Sequence, residues 1–157
     1  MRVGITGHTN LTGGGAQAIY TALIQHLDAY GGDIIGVTCL ADGADQLFAR
    51  AVTAVGGVYE VVLPAPDYRR VVPPERRHDF DALLDGASIV LATGEKRSGQ
   101  RAYVAANRIM LERVDRLIAV WDGRDEGDPG GTADVVTRAR AADLPMTVIW
   151  PAGAERG

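Results

Sequence analysis

The chain has 157 residues, 46% of them hydrophobic and 23% charged, with a formal net charge of −4 and a single cysteine, Cys39. This is the composition of a globular domain long enough to bury a core, and no apolar run approaches the roughly 18 residues of a membrane span. The acidic balance and the scarcity of aromatic residues make nucleic acid an unlikely partner, because a phosphate backbone wants a basic face and single strands want a stacking platform.

Apolar runs and helical stripes alternate along the chain. Residues 3–6 form the first strand-like run, too short and glycine-broken for a signal peptide. Ala16, Ile19, Tyr20, Leu23 and Leu27 then make a stripe at helical spacing, ended by Gly31-Gly32. Residues 34–40 are the second run. Ala44, Leu47, Phe48, Ala51 and Val55 form the second stripe, ended by Gly56-Gly57. Residues 59–63 follow, then a proline- and arginine-rich loop at 64–75, then a short stripe of Phe80, Leu83 and Leu84. Residues 89–92, a stripe of Tyr103, Ala106, Met110 and Val114, and residues 117–121 come next. After an acidic, glycine-rich loop at 122–130, Val135, Val136, Ala139 and Ala142 form the last stripe and residues 147–150 the last run. The runs are rich in Val and Ile and are continuous, as in strands buried on both faces of a parallel sheet. The order predicts one α/β domain over 1–157, Rossmann-like and doubly wound, with a mainly parallel sheet of about six strands and helices on both faces.

In such a sheet, ligands bind beyond the carboxyl ends of the strands, where the strand order reverses. Three loops should therefore meet: "TGHTNLTGGG", "LADGAD" and "WDGRDEGDPGGT", all rich in Gly, Asp and Thr. The turn Gly130-Gly131-Thr132 opens the last helix, and a helix N-terminus carries unpaired N–H groups that suit a phosphate. Thr132 is either the N-cap or a hydroxyl donor to that phosphate. The plainer alternative is a tight turn with an ordinary cap, and the position after a central strand favours phosphate. Gly7, His8 and Thr9 in the first loop, and Gly43 and Asp45 in the second, are further candidate ligand contacts. Asp42 is the natural N-cap of the second helix. Asp122, at a strand end, is the candidate catalytic carboxylate. Cys39 suits an inert core thiol, and no Cys/His spacing suggests a metal. A lone cysteine and the absence of a membrane span make the cytoplasm the expected location. G-x-G-x-x-G and the P-loop pattern are both absent, so dinucleotide redox and kinase chemistry fit poorly and no cofactor is expected.

The stretches "GITGH", "ADGADQLFA", "YVAANRIMLERVDRLIAVWDG" and "GGTADVVTRARAADLPMTVIW" together resemble the SLOG superfamily, which includes the LOG proteins and the Rossmann module of DNA-processing protein A. The likeness is to its small single-domain bacterial members related to the YpsA and YspA groups. The resemblance implies a Rossmann-like sheet, a nucleotide or nucleotide-derived ligand with its phosphate on the glycine–threonine turn, and a homodimer or larger assembly. LOG proteins are phosphoribohydrolases with the motif P-G-G-x-G-T-x-x-E. Here Pro129-Gly130-Gly131-Thr132 lacks the second x-Gly pair, and Val135 stands where the glutamate would be. The phosphate-binding part carries over and the catalytic carboxylate does not, which leaves Asp122 or Asp134 to substitute. Three functions follow, of which a nucleic-acid accessory module, drawn from the DNA-processing resemblance, has the acidic charge against it. The first is a nucleotide-binding sensor or adaptor without catalysis. The alternative is an N-glycosidic hydrolase or transferase acting on nucleoside monophosphates, in which a carboxylate stabilises an oxocarbenium-like sugar.

Overall fold

A computed structural model describes residues 1–12, 14–124 and 129–156. Six strands form one parallel sheet: β1 (Arg2–Gly7), β3 (Ile35–Thr38), β4 (Val58–Leu63), β5 (Ile89–Ala92), β6 (Arg116–Val120) and β7 (Met146–Ile149). Two more strands of two residues each, β2 (Leu11–Thr12) and β8 (Glu155–Arg156), pair antiparallel as a separate ribbon. The helices are α1 (Gly15–Tyr30), α2 (Ala44–Ala54), α3 (Arg77–Asp85), α4 (Gln100–Glu112) and α5 (Thr132–Ala141). Strand order across the sheet is β5-β4-β3-β1-β6-β7. The chain moves outward from β1 to β5 and then returns to β6 on the other side of β1. The order reverses between β1 and β6, and a crevice opens beyond their carboxyl ends. The fold is the Rossmann-like α/β arrangement that the alternation of periods predicts.

Burial explains why each stripe folds as it does. In α1 the side chains of Ile19, Leu23 and Leu27 are buried one turn apart, on the face that meets the sheet. Helix α2 is buried almost all round, Phe48 fully, because it packs against α1, α3 and the sheet. Burying one such side chain contributes roughly 1.5–3 kcal/mol. These helices share one apolar cluster with Val3, Ile5 and Val61. On the other face Ala106 and Met110 of α4 and Val135 and Ala139 of α5 share a second cluster with Val37, Val62 and Leu117.

The structure departs from the sequence reading at the sheet's margins. Strand β5 is not buried on both faces: Ile89 and Val90 are 44% and 49% exposed, because β5 is an edge strand and α4 packs over β4 instead. The second run stops at Thr38, where Leu40 takes a left-handed conformation (φ 57°) and turns the chain toward α2. The 64–75 loop holds two 3₁₀ turns, Tyr68–Val71 and Pro74–Arg76. The β2–β8 ribbon was unforeseen, since two-residue strands have no period to read. Among the described residues no helix is long and apolar enough to cross a membrane.

Candidate ligand-binding cleft

A cavity of about 810 Å³ lies beyond the carboxyl ends of β1, β3 and β4, bordered by the start of α5, one face of α4 and the ribbon. Five helices begin at this edge, α3 from Arg76 and the other four, α1, α2, α4 and α5, from glycines. None of the five carries a side-chain hydrogen bond at its cap. The first-turn N–H groups of these helices are therefore not spent on capping side chains.

The start of α5 is the most built of these ends. Gly131 occupies the cap in an extended conformation (φ −81°, ψ 179°), so Thr132 is the first helical residue and not the N-cap that one reading of the sequence allowed. Gly130 has φ +87°, and a Cβ there would stand 2.9 Å from the Cβ of Tyr103, so only glycine fits the turn without strain. The Gly130 N–H donates to Asp134 Oδ2 at 2.9 Å, and Asn107 Nδ2 donates to the Gly130 carbonyl at 2.9 Å. Gly130, Gly131 and Thr132 all face the cavity. The acidic stretch 125–128 before this turn lies outside the described residues.

At the β3 end, Asp45 is 6% exposed and borders the cavity. Its Oδ2 accepts the Ala41 N–H at 3.2 Å. Burial pushes its carboxyl up to about 7, against the backbone N–H groups of Ala41 and Cys39, which favour the charged form. The cap of α2 is Gly43 rather than Asp42: the glycine has φ +90°, which places the helix start hard against the first loop. A Cβ at Gly43 would stand 2.6 Å from the His8 carbonyl, which accepts the Ala44 N–H at 3.2 Å. Gly43 thus serves close packing and does not border the cavity. Asp42 does border it, with Oδ1 buried and unmatched by a hydrogen bond among the described residues, 3.8 Å from the Arg76 guanidinium. Burial, then the charge of Asp45, pushes the Cys39 thiol up, which keeps it protonated although it faces the cavity.

At the β1–β6 switch point, three side chains lock together. Arg156 Nε donates to Asp122 Oδ2 at 2.7 Å, and its NH1 lies 3.4 Å from His8 Nδ1. His8 Nε2 lies 3.4 Å from Asp122 Oδ1, and the Arg124 N–H donates to that oxygen at 3.0 Å. The Asp122 carboxyl sits below its usual range: burial alone would raise it, but the Arg124 N–H, the Arg156 hydrogen bond and the charges of His8 and Arg156 outweigh burial. His8 is lowered, first by burial and then by Arg156, with Asp122 pulling the other way. Trp150 meets the imidazole edge-on with ring centres 5.5 Å apart.

Of the residues singled out from sequence, Gly7, His8, Thr9, Asp45, Gly130, Gly131 and Thr132 border the one cavity, and Gly43 and Asp122 stand behind its wall. Asp122 faces His8 and Arg156 instead of the open space. Missed from sequence were Arg156, Asn107, Tyr68 and Tyr103, all on the wall. Only the length of the proline- and arginine-rich 64–75 loop hinted at Tyr68. Among the described residues no three His, Cys, Asp or Glu side chains are grouped to hold a metal ion.

No family model and no curated protein matches the chain. Solved structures do. DNA processing protein A from Streptococcus pneumoniae superposes with a TM-score of 0.72 at 19% identity, covering 97% of this chain and 51% of that one. The present chain thus spans about half the length of that protein. DNA processing protein A from Helicobacter pylori, a single-stranded DNA binder, gives 0.68 at 18% identity over 99% of this chain and 68% of that one. The molybdenum cofactor binding protein of the phototrophic bacterium Rippkaea orientalis gives 0.60 at 18% identity, over 94% and 74%. These likenesses correct one expectation. Nucleic acid cannot be set aside as an unlikely partner on composition, because a protein of this fold binds single-stranded DNA. The physical reason is that net charge averages over a whole surface, whereas binding answers to the local field of one patch. The chain has the Rossmann-like fold of DNA processing protein A and of the molybdenum cofactor carriers, which is the fold its SLOG-like motifs imply.

Proposed function

We propose that the cleft binds a nucleotide or nucleotide-derived ligand, with its phosphate at the start of α5, and that the protein works as a sensor or adaptor. One observation carries this reading: the glycine turn at Gly130-Gly131 opens a helix without a side-chain cap onto a cavity of about 810 Å³. That volume suits a nucleotide-sized molecule. Phosphate would take the first-turn N–H groups and the positive end of the helix. The sugar and base would extend toward Asp42, Asp45 and Tyr68. The hydrolase alternative is less favoured, because it needs a carboxylate free to face the ribose and Asp122 is engaged by Arg156 and His8. Calorimetric titration with the four ribonucleoside 5′-monophosphates, and with the matching nucleosides, tests the proposal. The monophosphates should bind more tightly, and Gly131→Val, tolerable at an extended φ, should remove that advantage. Equal affinity of nucleosides and monophosphates would refute the phosphate assignment. Release of free base by the wild type would move the protein to the hydrolase class.

A second reading is single-stranded nucleic acid along the same edge. What favours it is a depression of about 410 Å³ at the 64–76 loop, bordered by Arg69, Arg70, Arg77 and Lys96 with Asp67 among them. The loop that walls the cleft therefore also carries basic groups. Salt-dependent binding of an oligonucleotide that Arg70→Ala and Lys96→Ala weaken would support it.

A further inference from the structure

Arg156 stands out in the cleft as a guanidinium that no motif announced. The ribbon brings it there: Leu11 pairs with Arg156 and Thr12 with Glu155, directly after the first loop. Its side chain is 22% exposed and borders the cavity. One of its charge partners, the Asp122 carboxylate, is 9% exposed and does not border the cavity. Asp122 also meets His8 and the backbone N–H and guanidinium of Arg124. The cavity thus has a cation on its surface, and one of that cation's partners is a carboxylate outside the lining.

We infer that Arg156 is the side chain that binds the anionic group of the ligand, and that Asp122 is an internal anion competing with that group for the guanidinium. This rests on the reading of the cleft as a site for a phosphate-bearing ligand and adds the residue that selects the charge. A guanidinium has five N–H donors in a planar fork, suited to two oxygens of a phosphate or carboxylate. In the structure Nε is directed at Asp122, so a ligand anion gains only part of the Arg156 charge while the Asp122 carboxylate remains ionised. Arg156 and the start of α5 border the same cavity, one carried by the ribbon beside α1 and the other on the α4–α5 face. A ligand filling that cavity would meet a helix N-terminus at one part of its wall and a guanidinium at another.

The inference has a sign that a purely structural ion pair lacks. Removing the charge of Asp122 while keeping its shape should tighten anion binding. A ribbon staple would only be weakened by the same change. The test compares the wild type, Asp122→Asn, Arg156→Gln and the double variant, using uridine and adenosine 5′-monophosphates against their nucleosides. Circular dichroism of each variant checks that the fold is retained. Asp122→Asn should tighten monophosphate binding roughly tenfold, the size of effect expected from one charge-assisted hydrogen bond, and leave nucleoside binding unchanged. Arg156→Gln should abolish both the monophosphate advantage and the gain from Asp122→Asn. Unchanged or weaker monophosphate binding in a folded Asp122→Asn protein overturns the inference. A second measurement needs neither nucleotide nor variant stability. The Arg156 Nε–H resonance of the wild type, assigned by its loss in Arg156→Lys, is followed while inorganic phosphate is added. A saturable shift supports the inference even if every nucleotide fails to bind, in which case only the nucleotide reading falls. A resonance that phosphate leaves in place overturns the inference while the nucleotide reading stands on its own titration.

Discussion

Asn107 on α4 donates from Nδ2 to the carbonyl of Gly130, 23 positions later, at 2.9 Å. The bond ties a helix to the turn that opens α5, and the same turn is held from the other side by Asp134 Oδ2. Asn107→Ala should therefore cost about 1 kcal/mol in chemical denaturation, the net worth of one such bond. It should also weaken nucleoside monophosphate binding more than nucleoside binding, since the turn is where the phosphate is proposed to sit. Equal losses for both would mean that Asn107 supports the cleft in general rather than the turn.

Glu60 is 4% exposed and accepts hydrogen bonds from Arg113, at 3.0 Å from NH2, and from Arg2. Burial alone would raise its carboxyl, but the hydrogen bonds and charges of Arg2 and Arg113 hold it below the usual range. A carboxyl depressed in the folded state contributes stability above its unfolded pKa of about 4.3, and that stability is lost as pH falls through the folded value. Glu60→Gln should thus be about 1–3 kcal/mol less stable than wild type at neutral pH. Urea melts at descending pH should show the gap closing once the pH falls below about 4. A gap that persists in acid would assign the loss to packing.

Asp45 gives the opposite slope. Its carboxyl is raised to about 7 by burial, so the folded state holds the proton more tightly than the unfolded chain. A raised pKa contributes stability that is fully present below the unfolded value of about 3.9 and is lost as pH rises through the folded one. Asp45→Asn can keep an acceptor for the Ala41 N–H while removing the charge. It should be more stable than wild type above pH about 7 and lose that advantage toward acid. Parallel melting curves at all pH values would show that the carboxyl is not raised.

Gly43→Ala should be among the costlier small substitutions in the chain. The new Cβ would stand 2.6 Å from the His8 carbonyl and 2.9 Å from the Thr9 Cα, at a φ of +90°. Strain at such a backbone costs about 1–3 kcal/mol before any steric clash. Thermal melts of this variant beside Gly56→Ala, also at positive φ but with open space around it, would separate the clash from the strain. Similar melting temperatures for the two would remove the packing role given to Gly43.

The sheet and its helices were legible because their signals are local. Ile19, Leu23 and Leu27 declare a helix face within nine residues, and the runs at 3–6 and 117–121 declare buried strands within five. Convergence of the three glycine- and aspartate-rich loops was legible too, since parallel strands joined by helices put the loops after them on one edge. The β5 edge was misread as buried because Ile89 and Val90 look the same in sequence whether or not a helix covers them.

The roles of individual charges in the cleft were decided by tertiary structure. Sequence by itself determined that Gly130-Gly131 opens a helix after a strand, and that Asp122 follows that strand closely. It could not determine that Arg156, 34 positions from Asp122 and 148 from His8, would be paired with both. Periodicity reports which face of an element is apolar, and propensity reports how its ends are capped. Neither carries information on which distant segment will supply a counter-ion. That choice is made when the β2–β8 ribbon closes, because an ion pair depends on where packing leaves two side chains, and packing is a property of the whole chain.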